Sequence, residues 1–291
     1  AKHYADFKPI SPWFLNYLNA EIIACVDHFW ESDALMSHYV AAWRRVAARF
    51  ANHPAVVGFD VMNEPFWGST QVSVFEETTL QPFYERVVAA VRQDAPNWIA
   101  FLEPSSSRNV GVPTGLRQFS FANVVYAPHS YDRDAESGMG FDPSKYGALV
   151  AEIGELAAEA KTMSAALWIG EYGGIVTDPG IEAYMGGQYD GLGAVAAGSA
   201  YWAYDKDGGY GLLSGDGAEK TALLDLLVRP YPEWVAGTPL RYSYDAATKT
   251  FELRWQPSGD GTTEIVVPAR LYHDDGGFEV SCGSCSVERQ P

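Results

Sequence analysis

Five short and almost continuously apolar segments recur along the first two thirds of this chain, and they constrain its fold more than any other feature. They lie at residues 56–62, 98–102, 124–127, 166–170 and 199–203 of a 291-residue sequence. Unbroken apolar character over so few residues is typical of parallel strands that are covered on both faces. We therefore expect a buried parallel sheet.

Longer amphipathic segments separate these predicted strands. Apolar residues recur every three or four positions in 35–50, behind a candidate N-cap at Ser32, and again in 146–160. A third helix is expected at about 80–92 and a shorter one near 218–227. Alternating strands and helices predict an α/β fold, either doubly wound or closed as a (β/α)₈ TIM barrel.

Two glutamates favour the barrel. Glu64 lies in Asn-Glu-Pro at 63–65 and Glu171 in Gly-Glu-Tyr-Gly at 170–173, each just past a predicted strand. Catalytic groups on the ends of different strands are what the carboxyl face of a barrel presents. No glycine-rich phosphate loop follows any of the strands, so the nucleotide-binding version of the doubly wound fold is poorly supported.

The pattern changes after residue 230. Residues 240–244, 250–255 and 263–267 alternate between apolar and polar side chains, which is typical of antiparallel strands. We expect a catalytic domain over residues 1–230 and a small C-terminal antiparallel β-sandwich domain over 231–291.

Charge and cysteine content narrow the function classes. Twenty basic and 37 acidic residues give a net charge of −17, which opposes binding to nucleic acid or to anionic membrane surfaces. The longest apolar stretch, 194–203, is far shorter than the roughly 20 residues of a membrane span, and no leader precedes Ala1.

A single Cys-x-x-Cys, Cys282 and Cys285, cannot complete a zinc site, so no metal or cofactor is expected. A disulfide between them would suggest a secreted or extracytoplasmic protein, whereas Cys25 is expected in the core.

The two glutamates have the chemistry of a retaining glycosidase. Such an enzyme needs two carboxyl groups about 5–5.5 Å apart, one to protonate the leaving oxygen and one to attack the anomeric carbon. Glu64 and Glu171 are the two candidates for these roles. Asn63 is placed to hydrogen-bond the 2-hydroxyl of the sugar.

These motifs resemble those of glycoside hydrolase family 5. Asn63-Glu64-Pro65 and the segment around Glu171 resemble the fourth and seventh strands of that family, which carry its acid/base and its nucleophile. The resemblance implies that Glu64 is the acid/base, which requires a raised pKa, and that Glu171 is the nucleophile. His129 and Tyr131 match its His-x-Tyr on the sixth strand, and Trp202 its aromatic residue on the eighth. The resemblance implies that His129 and Tyr131 orient Glu171, and that Trp202 lies under the sugar in the −1 subsite.

Residues 60–69 and 229–239 resemble the endoglycoceramidases within this family, which release an intact oligosaccharide from a glycosphingolipid. That resemblance implies an apolar aglycone. Phe66, Trp67 and Phe75, in loops just past the acid/base, are the residues expected to meet the ceramide.

Three barrel strands are missing from this reading. The first 55 residues predict a helix and a loop, whereas family members draw strands one to three and an arginine from this part. We therefore expect an N-terminal fragment, or a longer native chain, to complete the barrel. An endo-β-glucanase or β-glucosidase of the same family, and a non-catalytic carbohydrate-binding fragment, are the alternatives.

Overall fold

A five-stranded parallel sheet forms the centre of the protein. The computed structural model describes residues 8–11, 13–206, 209–272, 277–283 and 285–289. The strands follow one another across the sheet in chain order. They are β1 (Gly58–Asp60), β2 (Ile99–Leu102), β3 (Val124–Tyr126), β4 (Ala166–Tyr172) and β5 (Gly198–Tyr201). Each coincides with a predicted strand, and the sheet is the expected partial TIM barrel, with all five carboxyl ends at one edge.

Helices cover the outer face of this sheet. They are α1 (Ala20–Glu31), α2 (Asp33–Phe50), α3 (Val72–Phe75), α4 (Gln81–Val91), α5 (Arg133–Glu136), α6 (Tyr146–Thr162), α7 (Ile181–Val195) and α8 (Thr221–Leu227). A π-helical turn, Glu76–Leu80, joins α3 to α4. Ser32 caps α2 as predicted, because its side chain accepts a hydrogen bond from the backbone N–H of Leu35.

The sequence pattern did not predict α7. Four glycines lie in this helix, and glycine disfavours helices in isolation. In the fold they allow close packing: a Cβ on Gly187 would lie 2.9 Å from Leu149 of α6, and one on Gly191 would lie 2.5 Å from Ile153. Tertiary packing therefore overrides local propensity here.

Two expectations about burial are wrong. Phe75 is fully buried in the core rather than exposed in a loop, because it ends α3 and its ring packs 5.3 Å from that of Trp30. Cys25 is a free and exposed residue of α1, a helix in which no side chain is fully buried.

The first strand lies at an open edge of the sheet. β1 pairs only with β2 among the described strands. Val57, just before β1, is 67% exposed, and an apolar cavity of about 260 Å³ opens beside it, lined by Trp43, Val46, Phe50, Val56, Gly58, Phe59 and Trp98. No strand corresponding to the first three of a barrel occurs in the described part of the chain. The described helices also include none whose length and apolar character would suit a membrane crossing.

The C-terminal part is antiparallel, as predicted. It has β6 (Tyr231–Trp234) paired with β9 (Glu264–Val266), and β7 (Gly237–Asp245) paired with β8 (Thr250–Pro257). β7 packs on α7, where the Tyr242 hydroxyl donates a 2.8 Å hydrogen bond to the carbonyl of Ala197.

Candidate active site

The two predicted carboxylates meet at the carboxyl edge of the sheet. Glu64 lies beyond the end of β1, and Glu171 lies near the end of β4. Oxygen atoms of Glu64 and Glu171, together with a ring nitrogen of His129, all lie within 4.8 Å of one another. About four fifths of each glutamate side chain is shielded from solvent. This separation suits direct attack on an anomeric carbon by one carboxylate while the other protonates the leaving oxygen.

Glu64 has an unusual backbone conformation. Its φ is +44°, in the left-handed region that residues with a Cβ rarely adopt. The backbone N–H of Glu64 donates a 2.7 Å hydrogen bond to Oε2 of Glu103, which directly follows β2. This contact stabilises a conformation that turns the Glu64 side chain into the site.

His129 lies between the carboxylates. Its Nδ1 is 2.9 Å from Oε1 of Glu64 and 3.4 Å from Oε2 of Glu171, and its Nε2 is 3.3 Å from Oε1 of Glu103. Gly170 makes room for this ring, because a Cβ there would lie 3.2 Å from its Cδ2 atom. The shortest of these contacts is to Glu64, whereas the resemblance implied that His129 orients Glu171. His129 therefore contacts Glu64 at least as closely as it contacts Glu171.

Asn109 is a second neighbour of Glu64 that the sequence did not single out. Its Nδ2 donates a 2.8 Å hydrogen bond to Oε1 of Glu64. It lies in the 3-10 turn Ser106–Val110, which is fixed by the buried Arg108 through an ion pair of 3.1 Å with Glu159 of α6. Asn109 and His129 both occupy Oε1, which leaves Oε2 of Glu64 to face a substrate.

Tyr131 contacts the other carboxylate. Its hydroxyl donates a 3.1 Å hydrogen bond to Oε2 of Glu171. The structure therefore places Tyr131 where the resemblance implied, beside the candidate nucleophile.

The electrostatics of the free site differ from the expectation for Glu64. Burial opposes charge on His129, but hydrogen bonds to Glu103 and Glu64 outweigh it and raise the pKa of the imidazole to about 10. Burial of Glu64 is likewise outweighed, by the hydrogen bond and charge of His129, so the pKa of Glu64 is lowered. Burial raises the pKa of Glu171, and His129 and Tyr131 offset only part of that effect. The predicted raised pKa of Glu64 is therefore wrong for the free site, because an imidazolium lies against it.

A cavity of about 390 Å³ opens beside the carboxylates. It is lined by Tyr39, Trp43, Asp60, Val61, Met62, Asn63, Glu103, His129, Gly170 and Glu171. Asn63 is exposed and lines this cavity, so its amide is within reach of a bound ligand. Asp60 points to the same space; desolvation and the negative charge of Glu103 raise its pKa to about 7.

Two predicted aromatic residues are not among those that line this cavity. Trp202 follows β5 beside Gly173, with 51% of its surface exposed, and is not among the residues that line the cavity. Trp67 is half-buried and packs against Phe66, with ring centroids 4.4 Å apart. The ring of Tyr17 also packs against that of Phe66, with centroids 4.9 Å apart.

The trio of Glu64, His129 and Glu171 also has the spacing of metal ligands. Both ring nitrogens of His129 already face carboxylates, Nδ1 those of Glu64 and Glu171 and Nε2 that of Glu103, which is the arrangement of an imidazolium that donates from both nitrogens.

Glu103 is the main residue that sequence reasoning missed. A signal was present, since Glu103 directly follows the predicted strand 98–102, as Glu64 follows its own strand. Only the structure shows that it contacts both Glu64 and His129.

Known proteins resemble this chain over almost its whole length. Endoglycoceramidase I of Rhodococcus hoagii (strain 103S) is 26% identical over 307 aligned positions, which cover 96% of this chain and 58% of that protein. The structure of endo-glycoceramidase II from Rhodococcus sp. in complex with ganglioside GM3 is 30% identical, with a TM-score of 0.83 over 92% of this chain and 63% of that one. A lactosyl-enzyme intermediate of the same protein superposes with a TM-score of 0.80 and the same identity. The chain thus spans about three fifths of the length of these relatives.

Two family models match successive parts of the chain. The model described as cellulase (glycosyl hydrolase family 5) matches residues 20–208, which include both glutamates. The model of the glycoside hydrolase family 5 C-terminal domain matches residues 229–291. With the strands and the carboxylate pair in the expected places, the chain belongs to glycoside hydrolase family 5.

Proposed function

We propose that this chain carries the catalytic carboxylates of a retaining glycosidase. The reaction would cleave the β-glycosidic bond between a glycan and an apolar aglycone, most specifically a glycosphingolipid, to give an oligosaccharide and a ceramide. The observation that carries the proposal is the approach of Glu64 and Glu171 oxygens to within 4.8 Å at one edge of the sheet. That spacing leaves no room for the water molecule that an inverting enzyme holds between sugar and base.

The geometry supports two steps. In the first, Glu171 attacks the anomeric carbon while Glu64 protonates the departing oxygen of the aglycone. In the second, Glu64 removes a proton from water, which displaces Glu171 from the sugar and restores the configuration. Tyr131 keeps its hydrogen bond to the attacking carboxylate.

The proton for the first step needs a source, because Glu64 is ionised in the free site. Oε1 of Glu64 already accepts hydrogen bonds from His129 and Asn109, so the catalytic proton lies on Oε2, where the carboxyl takes it from water before the aglycone departs. In the second step the attacking water returns a proton to the same oxygen, and His129 stays an imidazolium throughout.

Two observations support an apolar aglycone. The relatives with the most extensive matches described above are endoglycoceramidases. Tyr17 and Trp67 both pack against Phe66, which follows Glu64 by two residues, and Glu64 would protonate the leaving group. Such rings offer apolar surface on the side where the aglycone departs.

The activity is tested by incubating the chain with a fluorescent glycosphingolipid and with an aryl β-glycoside. We expect release of intact oligosaccharide from the lipid. Glu171→Gln should reduce release by about 10⁴-fold or more, because it removes the nucleophile. Binding of the glycolipid without release from the wild-type chain would instead favour the non-catalytic carbohydrate-binding alternative.

A covalent trap tests the separate roles of the two glutamates. With a 2-fluoro glycoside bearing a good leaving group, we expect the intact mass to increase by one glycosyl unit and peptide mapping to place it on Glu171. The Glu64→Gln variant should still be labelled by this reagent, since an activated leaving group needs no acid. Labelling at Glu64 would reverse the assignment.

An endo-β-glucanase is the second candidate, because the major extracellular endoglucanase of Xanthomonas campestris pv. campestris is 30% identical over 166 positions, which cover 52% of this chain and 34% of that protein. A β-glucosidase of the same family is the further alternative. Cleavage of cello-oligosaccharides faster than of the glycolipid would favour one of these two.

We also propose that further polypeptide covers the open edge of β1. The apolar cavity beside Trp43 and Phe59 and the exposed Val57 support this, since an uncovered strand edge with apolar neighbours is unfavourable in water. A barrel-completing N-terminal segment, added as a separate chain, should increase the rate of release. No change in rate would contradict the proposal.

Export from the cytoplasm is the proposed location. The pairing of Cys282 with Cys285, whose Cα atoms are 5.7 Å apart, supports it, because disulfides persist in oxidising compartments. Alkylation of the purified protein without reductant should modify Cys25 alone.

A further inference from the structure

A third carboxylate is buried beneath the catalytic pair. Glu103 directly follows β2, and its side chain is 4% exposed. Its backbone carbonyl accepts a 2.7 Å hydrogen bond from the fully buried Tyr84 of α4. Burial of a carboxylate costs free energy unless charged or polar partners compensate, so its partners indicate its role.

The two oxygens of Glu103 have different partners. Oε2 accepts from the backbone N–H of Glu64 at 2.7 Å, and Oε1 faces Nε2 of His129 at 3.3 Å. Nδ1 of the same imidazole faces Oε1 of Glu64 at 2.9 Å. Both ring nitrogens can donate to carboxylates only when the ring is protonated. A single buried side chain thus contacts the main chain of one catalytic residue and the charged ring beside both.

We propose that Glu103 is a positioning residue, which holds His129 as an imidazolium between the catalytic carboxylates and fixes the left-handed backbone of Glu64. The proposal rests on the glycosidase function proposed above for its effect on rate, but its structural part does not.

Four acidic side chains from three strands or their ends face His129. Glu64 and Asp60 come from β1 or beyond it, Glu103 from the end of β2, and Glu171 from β4. Glu103 also lines the cavity beside the pair, but its side chain is only 4% exposed, against 20% for Glu64 and 18% for Glu171. It neither attacks the sugar nor protonates the leaving oxygen, so its contacts to Glu64 and His129 can persist through both steps.

Glu103→Gln is the decisive variant because an amide has one acceptor oxygen where the carboxylate has two. It can accept from Glu64 or from His129, and its NH₂ group then opposes the other donor. We expect kcat to fall by about 100-fold with KM changed by less than about threefold, since the loss is in positioning. The alkaline limb of the pH–rate profile should move to lower pH, because the imidazolium loses its buried counter-charge. Glu103→Asp keeps the charge and should restore part of both effects.

An NMR titration of His129 tests the structural part without any activity. In the wild-type chain we expect both ring nitrogens to be protonated at pH 8, with the resonances assigned from their absence in His129→Gln. In Glu103→Gln the midpoint should fall by at least about one pH unit. Glu76→Gln is the matched control, since Glu76 is also buried but accepts its hydrogen bonds from Ser105 and residues 114–116.

The outcomes separate the two proposals. A neutral His129 at pH 8 in the wild-type chain overturns the role of Glu103, whether or not Glu103→Gln folds. An equal midpoint in Glu103→Gln and Glu76→Gln overturns it as well. A charged His129 in a chain that releases no sugar contradicts the glycosidase function and leaves the role of Glu103 standing.

Discussion

One imidazolium serves several carboxylates in this site. Glu64, Glu103 and Glu171 all lie within 3.4 Å of a ring nitrogen of His129, which is almost completely buried. Like charges packed so closely repel one another unless a cation lies between them. His129 therefore balances the charge of the site as well as orienting its neighbours, and its protonation contributes to folding.

The pH dependence of stability should reveal this contribution. The pKa of His129 is raised from 6.5 to about 10, so its stabilising effect is complete below pH 6.5 and is lost as the pH rises to about 10. We expect the difference in free energy of unfolding between wild type and His129→Gln to shrink between pH 7.5 and 10. Denaturant titrations at several pH values measure it.

Asp60, whose pKa is raised to about 7, still titrates above pH 7.5, and the charge of His129 lowers that pKa, so both proteins carry Asp60→Asn in this comparison. Lysine and tyrosine titrations affect both proteins and cancel in the difference. A difference that stays constant over this range would show that His129 is not charged.

The candidate catalytic residues could be predicted at this scale, whereas the residues that support them could not. Glu64, Glu171 and Tyr131 follow strands in motifs that can be read locally. Asn109 reaches Glu64 only because Arg108 and Glu159 fix its turn, a contact across 51 residues. The lowered pKa of Glu64 depends on His129 and Asn109, which are distant from it in sequence, so no local sequence pattern predicts it.

At the scale of elements, glycine determines how closely α6 and α7 pack. The missing side chains of Gly187 and Gly191 are replaced by Leu149 and Ile153 of the neighbouring helix. Because α7 also carries Tyr184 and Gln188, which bond to the carbonyl of Ser130, this packing determines where the segment between His129 and Tyr131 lies.

Gly191→Ala should therefore destabilise the protein. Its Cβ would lie 2.5 Å from Ile153, so overpacking of about 1–3 kcal/mol exceeds the helix-propensity gain of up to about 1 kcal/mol. Gly154→Ala in α6 is the control, because nothing lies within 4 Å of the added Cβ and only the gain applies. Thermal unfolding of both variants measures these changes in stability. A Gly191→Ala variant that is more stable than the wild type would contradict the packing argument.

Helices with a clear apolar period could be predicted, whereas α7 could not. Glycines interrupt the apolar period of α7, and their contribution to close packing is visible only when α6 lies beside it. The π-helical turn at Glu76–Leu80 was missed for a similar reason. Glu76 accepts hydrogen bonds from Ser105 and Thr114, which lie 29 and 38 residues further along the chain.

At the scale of the whole molecule, β7 of the C-terminal part packs on α7, the helix whose side chains bond to the segment between His129 and Tyr131. β7 approaches α7 so closely that a Cβ on Gly193 would lie 2.2 Å from the carbonyl oxygen of Tyr242. Arg229 stacks 3.4 Å over the ring of Tyr189 between the two parts. We infer that the two parts fold together.

Tyr242→Phe tests this coupling. The substitution removes the hydrogen bond to Ala197 and should lower the free energy of unfolding by about 1 kcal/mol, with a single transition retained. Tyr231→Phe is the control, since that ring is 46% exposed and its change should lie within about 0.5 kcal/mol. Two separate transitions, of which only one responds to Tyr242→Phe, would show that the parts fold independently.

The open edge at β1 has a practical consequence. The candidate catalytic glutamates both lie at one edge of a continuous sheet, while the flank beside Val57 and Trp43 has no covering layer within the described residues. With the proposed N-terminal segment supplied as a separate chain, the two pieces would correspond to the halves of a split reporter. Fusing each piece to one of two binding partners would then couple their encounter to the proposed glycosidase activity.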